Sequence, residues 1–258
     1  MLNFKRVNIS AVILLLSMVL YAVFLTVIPL YFYLIVFFAW LIITSIGSFN
    51  ITWNYHVKAI NFVQTETKQI AITFDDGPNI QYTQKVLGLL EEFNAKASFF
   101  CIGKQIEKYP ELLREINEKG HVIGNHTFNH SNNWGFLSTK KIEKELLFTD
   151  RVIEKVINKK PRFFRPPFGV TNPSIAKALN KTKHRVLGWS IRSLDTVIED
   201  ENKVLKRILP KIKPGAIILL HDNQNNVVPV LEQLLIFLKN NNYNIVSLET
   251  LTNEKAYE

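Results

Sequence analysis

The chain predicts a parallel α/β domain carried behind an apolar N-terminal segment. Three observations predict it: an uncharged run from residue 7 to residue 57, strand-length apolar runs alternating with amphipathic stretches from about residue 70, and Asp, His and Arg residues falling just past strand ends. Strands alternating with helices pack as a mostly parallel sheet covered by helices. The C-terminal rim of parallel strands is where such folds assemble reactive side chains.

Residues 9–46 are almost wholly apolar or aromatic. A helix needs roughly 20 apolar residues to cross a bilayer. Residues 9–28 suffice alone, residues 30–46 nearly do, and Pro29 between them breaks or kinks a continuous helix. A cleaved signal peptide has an apolar core of only about 7–15 residues, so a retained transmembrane anchor is expected over residues 1–48, with a linker at 49–67. It is either one helix or a two-helix hairpin. Lys5 and Arg6 favour a cytoplasmic N-terminus. One crossing then puts the remainder outside, whereas a hairpin returns it to the cytoplasm. The catalytic domain is expected at the cell membrane on the extracytoplasmic face.

Beyond the linker, strands are expected at residues 70–74, 97–102, 121–124, 163–164, 185–191, 216–220 and 243–247. Helices are expected at 83–93, 107–119, 139–158, 173–179, 202–209 and 230–240. The helix at 139–158 is marked by Ile142, Leu146, Leu147, Val152, Ile153, Val156 and Ile157 at helical spacing with charges between them. Residues 251–258 form a short tail. Removing Lys5 and Arg6 from the 31 Lys and Arg leaves 29 against 22 Asp and Glu, a balance of +7 that suits anionic surroundings. No helix-turn-helix, zinc-finger or aromatic RNA-binding signature is present, so nucleic acid is not an expected partner. Cys101 is the only cysteine, which excludes an internal disulfide and reads as a small core residue.

Reactive residues gather in three clusters: Thr73-Phe74-Asp75-Asp76-Gly77-Pro78, His126-Thr127-Phe128-Asn129-His130 and Leu219-Leu220-His221-Asp222. Asp76, His126 and His130 make a three-ligand set that leaves a position for water and suits Zn²⁺ and its neighbours. The four-residue histidine spacing would put both rings on one side of a helical turn. Asp75 is then the base for the activated water, because a dication takes up the charge of one of two adjacent carboxylates. His221 stands at the end of a separate apolar run, placed to act as an acid.

These three clusters, with Arg165-Pro166-Pro167-Phe168-Gly169 and the stretch from Trp189 to Asp195, resemble the five ordered motifs of the polysaccharide deacetylase family (NodB-homology domain, carbohydrate esterase family 4). The resemblance covers residues 68–250. It implies a distorted (β/α) barrel and hydrolysis of N-acetyl groups on amino-sugar polymers with a divalent metal, zinc first and cobalt, manganese or nickel as the other candidates. Carried over by motif, Asp75 is the base; Asp76, His126 and His130 are metal ligands; and Arg165 orients the base. The backbone N–H of Phe168 helps hold the oxyanion. His221 is the acid, Asp195 holds it protonated, and Leu219 lines the acetyl pocket.

Two departures stand out. Where the family pattern reads Asp-x-x-Asp-Trp, this chain has Arg192-Ser193-Leu194-Asp195-Thr196. The acid's partner survives, but Arg192 and Thr196 alter the pocket wall, and Arg192 is either a solvated rim residue or a partner for an acidic substrate group. Trp189 reads as core, and Asp222 as a local loop-holder. His56, His121 and His184 read as structural or solvated, while Trp134 and Phe136 are equally suited to packing and to sugar stacking. The expected activity is release of acetate from an amino sugar of a surface glycan, peptidoglycan N-acetylglucosamine or N-acetylmuramic acid, by a membrane-anchored enzyme. The rivals are a deacylase or deformylase of a lipid-linked amino sugar and a catalytically silent glycan-binding module.

Overall fold

The computed structural model describes residues 2–258. Two apolar helices, α1 (Phe4–Phe24) and α2 (Leu30–Phe49), come first and are long and apolar enough to cross a membrane. They run antiparallel, with Trp40 Nε1 donating to Asn8 Oδ1 at 2.7 Å and Phe4 N–H donating to the Tyr55 carbonyl at 3.0 Å. The chain therefore returns to the side on which it started. Pro29 sits at the break, as expected from a residue that cannot donate within a helix.

The α/β unit follows as β1 (Ala59–Ile60), β2 (Gln69–Asp75), α3 (Thr83–Glu92), β3 (Ser98–Cys101), α4 (Gly103–Lys108), α5 (Pro110–Glu118), β4 (Val122–Asn125), α6 (Thr139–Ile157), β5 (Phe163–Phe164) and α7 (Pro173–Thr182). It continues with β6 (Arg185–Leu187), β7 (Ile191–Arg192), α8 (Glu201–Ile208), β8 (Ile217–His221), α9 (Val227–Asn240), β9 (Asn244–Ile245) and α10 (Leu248–Thr252). The sheet runs β1-β6-β5-β4-β3-β2-β8-β7, with β9 also paired to β2, and every pairing is parallel. Among the described strands no ladder joins β7 to β1, so the sheet curls into a barrel left open along that seam. This is the distorted (β/α) barrel.

Local chemistry explains most boundaries. The single helix expected at 107–119 is two helices, because Pro110 has no N–H and pushes Tyr109 out of helical backbone (φ −134°, ψ 58°). The single strand expected at 185–191 is split into β6 and β7 by Gly188, Trp189 and Ser190, which bend toward the seam. On α9, Val227, Val230, Leu231, Leu234, Leu235 and Leu238 form one buried stripe. Each such side chain contributes roughly 1.5–3 kcal/mol relative to exposure. The stripe shares one buried cluster with Ile70, Ile72 and Phe74 of β2 and Ile218 and Leu220 of β8, the strands that end in Asp75 and His221.

The segment between the apolar helices and residue 68 is not a free tether. Ala59 and Ile60 pair with Val186 and Leu187, and Tyr55 is buried against the end of α2. A Cβ on Gly47 would lie 2.4 Å from Tyr55 Cγ, so this close approach needs glycine. Thr44 Oγ1 meets Tyr55 Oη at 3.0 Å, Ser48 Oγ meets His56 Nε2 at 3.0 Å, and Thr171 N–H donates to the Ser48 carbonyl at 3.0 Å. The tail is integrated as well, since Ala256 is fully buried and the Tyr257 hydroxyl accepts from Ile123 N–H at 2.8 Å.

Candidate active site

Parallel strands all end on the same rim, so the motifs converge. Asp75 closes β2, His126 follows β4, Arg165 follows β5, Asp195 follows β7, and His221 closes β8. One cleft of about 280 Å³ is lined by Asp75, Asp76, His126, His130, Phe168, Leu219 and His221, together with Trp189, Arg192, Thr196 and Gln224. Arg165 and Asp195 stand behind it, against Asp75 and His221 respectively.

Arg165 is wholly buried beneath the cleft. Its Nη1 donates to Asp75 Oδ1 and to Thr73 Oγ1, both at 2.7 Å, while Nε and Nη2 donate to the carbonyls of Leu187 and Gly188. The guanidinium lies over the Phe100 ring at 4.1 Å, a cation–π contact that covers its flat face. Burial draws the guanidinium pKa down while the Asp75 carboxylate supports the charge. Such a cation tolerates no truncation. Arg165→Met leaves Asp75 as a buried, uncompensated carboxylate, and a loss of about 3–5 kcal/mol is expected. Thermal denaturation checks it: a midpoint within about 2 °C of wild type would contradict the clamp.

Asp76 Oδ1 lies 3.4 Å from His126 Nε2 and 3.3 Å from His130 Nε2. The candidate ligand atoms of the three residues all fall within 4.8 Å of one another. His126 Nδ1 is 2.8 Å from the Arg165 carbonyl, which sets that nitrogen as the donor and turns the Nε2 lone pair into the cleft. Burial alone would raise the Asp76 carboxyl, but His126 and His130 hold it well below the usual carboxylate range. Burial and the His126 charge bring the His130 imidazole down to about 4, favouring the neutral, ligating form.

A fit for a cation can be judged from the protein atoms alone. Asp76 Oδ1 is buried and has no hydrogen-bond partner among the described residues, although two imidazole nitrogens face it. A buried carboxylate oxygen without a donor is costly, and a dication shared with those nitrogens removes that cost. The donor set, two imidazoles and a carboxylate, suits zinc.

The histidine spacing works differently from the helical-turn expectation. Residues 126–130 form a loop, with Thr127 (φ 65°) and His130 (φ 47°) in left-handed backbone. That loop is built from outside. Thr127 N–H donates to Asn125 Oδ1 at 2.8 Å, and Glu145 on α6 accepts from Phe128 N–H at 3.1 Å and Asn129 N–H at 2.8 Å. The two rings end 4.9 Å apart, centre to centre.

Across the cleft, His221 Nδ1 is 2.8 Å from Asp195 Oδ1, while His221 N–H donates to Asp195 Oδ2 at 2.8 Å. Ser193 Oγ also donates to Asp195 Oδ1, at 2.7 Å. Burial alone would lower the His221 pKa, but the Asp195 hydrogen bond and charge, with Asp75 and Asp76 behind them, raise it to about 9. Phe168 adopts left-handed backbone (φ 59°, ψ 4°), and its N–H has no acceptor among the described residues, whereas those of Gly169 and Val170 fold back onto Pro166 and Pro167. Leu219 is buried in the cleft wall.

Some residues play parts that sequence reasoning missed. Trp189 is buried in the core as expected, and it also borders the cleft, with its ring 5.6 Å from the Arg165 guanidinium. Asp222 was expected to hold its own loop; instead it is fully buried and accepts at 2.5 Å from the Thr83 hydroxyl, a distant partner on α3. Burial lifts its carboxyl to about 7. Asn223 Nδ2 reaches Asp76 Oδ2 at 3.4 Å. Trp134 is buried, donating to the Val170 carbonyl, whereas Phe136 is 92% exposed. His184 pairs with Asp150, and His121 accepts from Ala97 N–H, so both are structural.

The sequence profile of the polysaccharide deacetylase family matches residues 62–187. A peptidoglycan-N-acetylglucosamine deacetylase of Bacillus cereus is 35% identical over 201 residues, spanning 75% of this chain and 92% of the relative. A chitooligosaccharide deacetylase of Azorhizobium caulinodans is 36% identical over 166 residues, 64% of this chain and 78% of the relative. Among solved structures, the peptidoglycan deacetylase PdaC of Bacillus subtilis superposes with a TM-score of 0.69 at 29% identity, covering 74% of this chain and 93% of that one.

Proposed function

This chain belongs to the polysaccharide deacetylase family, a hydrolase acting on glycans, and from that premise we propose that it removes the acetyl group from an N-acetylated hexosamine with Asp75 as base, His221 as acid and Asp76, His126 and His130 as the residues that would hold a divalent metal. The single observation that carries the proposal is the completeness of this set in one cleft: a clamped carboxylate, three convergent ligands and a charged imidazole. A silent glycan-binding module has no use for all of them. N-acetylglucosamine or N-acetylmuramic acid of peptidoglycan is the proposed unit, in line with the substrates named for the relatives.

When bound, a divalent cation supplies a Lewis acid that makes water acidic near neutral pH and polarises the acetyl carbonyl. Asp75, oriented by the Arg165 guanidinium, accepts a proton from the attacking water. The free N–H of Phe168 donates to the oxyanion that develops on the acetyl oxygen, a contribution that is usually large in acyl transfer. His221 presents Nε2 to the cleft and gives its proton to the leaving amide nitrogen, so the C–N bond breaks to a neutral amine rather than an amide anion. Leu219 and Trp189 wall the methyl group. Thr196 leaves that wall lower than the tryptophan of the family pattern would, which makes room for an acyl group larger than acetyl.

The test is release of acetate and free amine from chito-oligosaccharide by the full chain in detergent. Dialysis against a chelator is expected to abolish turnover, with Zn²⁺ restoring it. Because an ion that binds only the folded state stabilises it, by about 4 kcal/mol at 1,000 times its Kd, the melting temperature should fall on chelation and recover on reloading. Asp76→Ala should lose activity without recovering on added Zn²⁺. Full turnover in the chelated protein would refute the metal assignment.

The proposed division of the chain is a bilayer-spanning hairpin over residues 1–48, a connecting segment at 49–67, the catalytic unit at 68–250 and a C-terminal tail. The hairpin puts residues 2–6 and the catalytic domain on one side. Peptidoglycan, named for the relatives, speaks for the extracytoplasmic face. Lys5, Arg6 and Lys58 flank the helices on the domain side, with no charge in the turn at residues 25–29, and by the positive-inside rule they speak for the cytoplasmic one. A reporter fused after Glu258 reads the side directly, and a cytoplasmic signal would exclude the finished wall as substrate.

A further inference from the structure

We propose that the amino sugar reaches the cleft while still joined through a phosphate to a lipid held in the bilayer, with Arg192 receiving the phosphate. This rests on the deacetylation of an amino sugar proposed above and names the form in which that sugar is presented.

The starting observation is a second depression, of about 680 Å³, that runs from the end of α2 to the catalytic cleft. Thr44, Ser48 and Phe49 of α2 line one end, and Phe168 and Arg192 line the other. Phe168 and Arg192 also line the cleft that holds the candidate metal ligands, so the two depressions adjoin across these two side chains. The last turns of an apolar, membrane-length helix thus form one wall of the approach to the chemistry. Their placement is rigid: the Tyr55, His56 and Thr171 hydrogen bonds and the Gly47 close approach fasten α2 to the domain.

Charge identifies the occupant. Among the described residues Arg192 is the only charged one lining the groove, and no carboxylate lines it. Its guanidinium lies over Trp189 at 5.9 Å and forms no ion pair among the described residues. A guanidinium with its fork free, beside the neutral hydrogen-bonding groups of Thr44, Ser48 and Asn172, matches a phosphate oxygen set. The groove's apolar lining includes Phe49 and Phe136, 70% and 92% exposed. Exposed phenylalanine rings beside the end of a membrane-length helix are an apolar surface suited to cover by lipid. A neutral polymer strand would need neither a free cation nor a path under the helix end. A sugar phosphate on a lipid would need both.

The experiment uses the full chain, loaded with Zn²⁺, in lipid nanodiscs. One arm supplies polyprenyl-phosphate-linked N-acetylglucosamine in the same bilayer, and the other supplies water-soluble N-acetylchitotetraose. Free amine is followed in both. The lipid-linked sugar is expected to be preferred at least tenfold in kcat/KM. Arg192→Ala should lower kcat/KM on it about 10–100-fold, mainly through KM, the range for losing a charge-assisted hydrogen bond. That drop should exceed the drop on chitotetraose at least tenfold, and Arg192→Lys should restore part of it. Equal turnover of both substrates, or an equal effect of Arg192→Ala on both, overturns the inference and leaves deacetylation standing. If neither substrate yields amine, the deacetylase assignment itself fails and the inference falls with it.

Discussion

Asp75→Asn is expected to lower kcat by roughly 10²–10⁴, the range for losing a positioned general base, while the variant still binds Zn²⁺. The side chain keeps its shape and can still accept the Arg165 Nη1 hydrogen bond through its amide oxygen, so the clamp at 2.7 Å survives in outline. What disappears is the second carboxylate oxygen, Oδ2, which lies 3.8 Å from His126 Nε2 and is the acceptor the proposed mechanism assigns to the water's proton. The ligands Asp76, His126 and His130 are untouched. The variant thus separates two roles that adjacent aspartates could share: if Asp75 were a ligand rather than the base, zinc stoichiometry would fall along with kcat. Zinc content by elemental analysis and steady-state acetate release on one preparation distinguish them. Activity within tenfold of wild type would remove Asp75 from the mechanism.

The legibility of this site in the sequence has a simple physical source. Parallel strands end on one rim, so residues just past strand ends in the sequence are neighbours in space, and Asp75, His126, Arg165, Asp195 and His221 could be grouped before any coordinates. What stayed hidden depends on contacts that no local pattern encodes. The left-handed bends at Thr127 and His130 rest on Glu145, a helix away, so spacing alone implied a helical turn that is not there. Asp222 looks like a loop residue because its partner Thr83 is 139 positions distant. Trp189 is the core residue its apolar surroundings imply, and its second place, on the cleft border, lies in the break between β6 and β7 that the sequence reads as one strand. The stretch taken as a linker packs through Tyr55 and β1, because a Gly47–Tyr55 fit cannot be inferred from either residue alone. That packing is what joins the apolar helices to the catalytic groove.

Asp195→Asn should produce the second large effect, visible in the pH profile as well as in the rate. In the native site, burial works against the His221 imidazolium, and the Asp195 hydrogen bond and charge overcome it to give a pKa of about 9. Activity requires the protonated ring, so wild-type kcat should hold through neutrality and decline as pH rises through about 9. With asparagine at 195, burial is opposed chiefly by the more distant Asp75 and Asp76, and the pKa is expected to drop toward or below its ordinary 6.5. The alkaline limb then moves down by at least about 2 pH units, and with the pKa at its ordinary 6.5 kcat at pH 8 falls by roughly 30-fold, one factor of ten per pH unit above the lowered pKa. Stability carries the same sign. Because the folded-state pKa lies above the unfolded value, the ion pair stabilises fully below about 6.5, and its contribution disappears as pH rises through about 9. The melting temperature of wild type should therefore decline across that window more steeply than that of Asp195→Asn. His221→Ala removes the acid entirely and should abolish the limb rather than move it. An alkaline limb that stays in place in Asp195→Asn would mean that some group other than His221 delivers the proton.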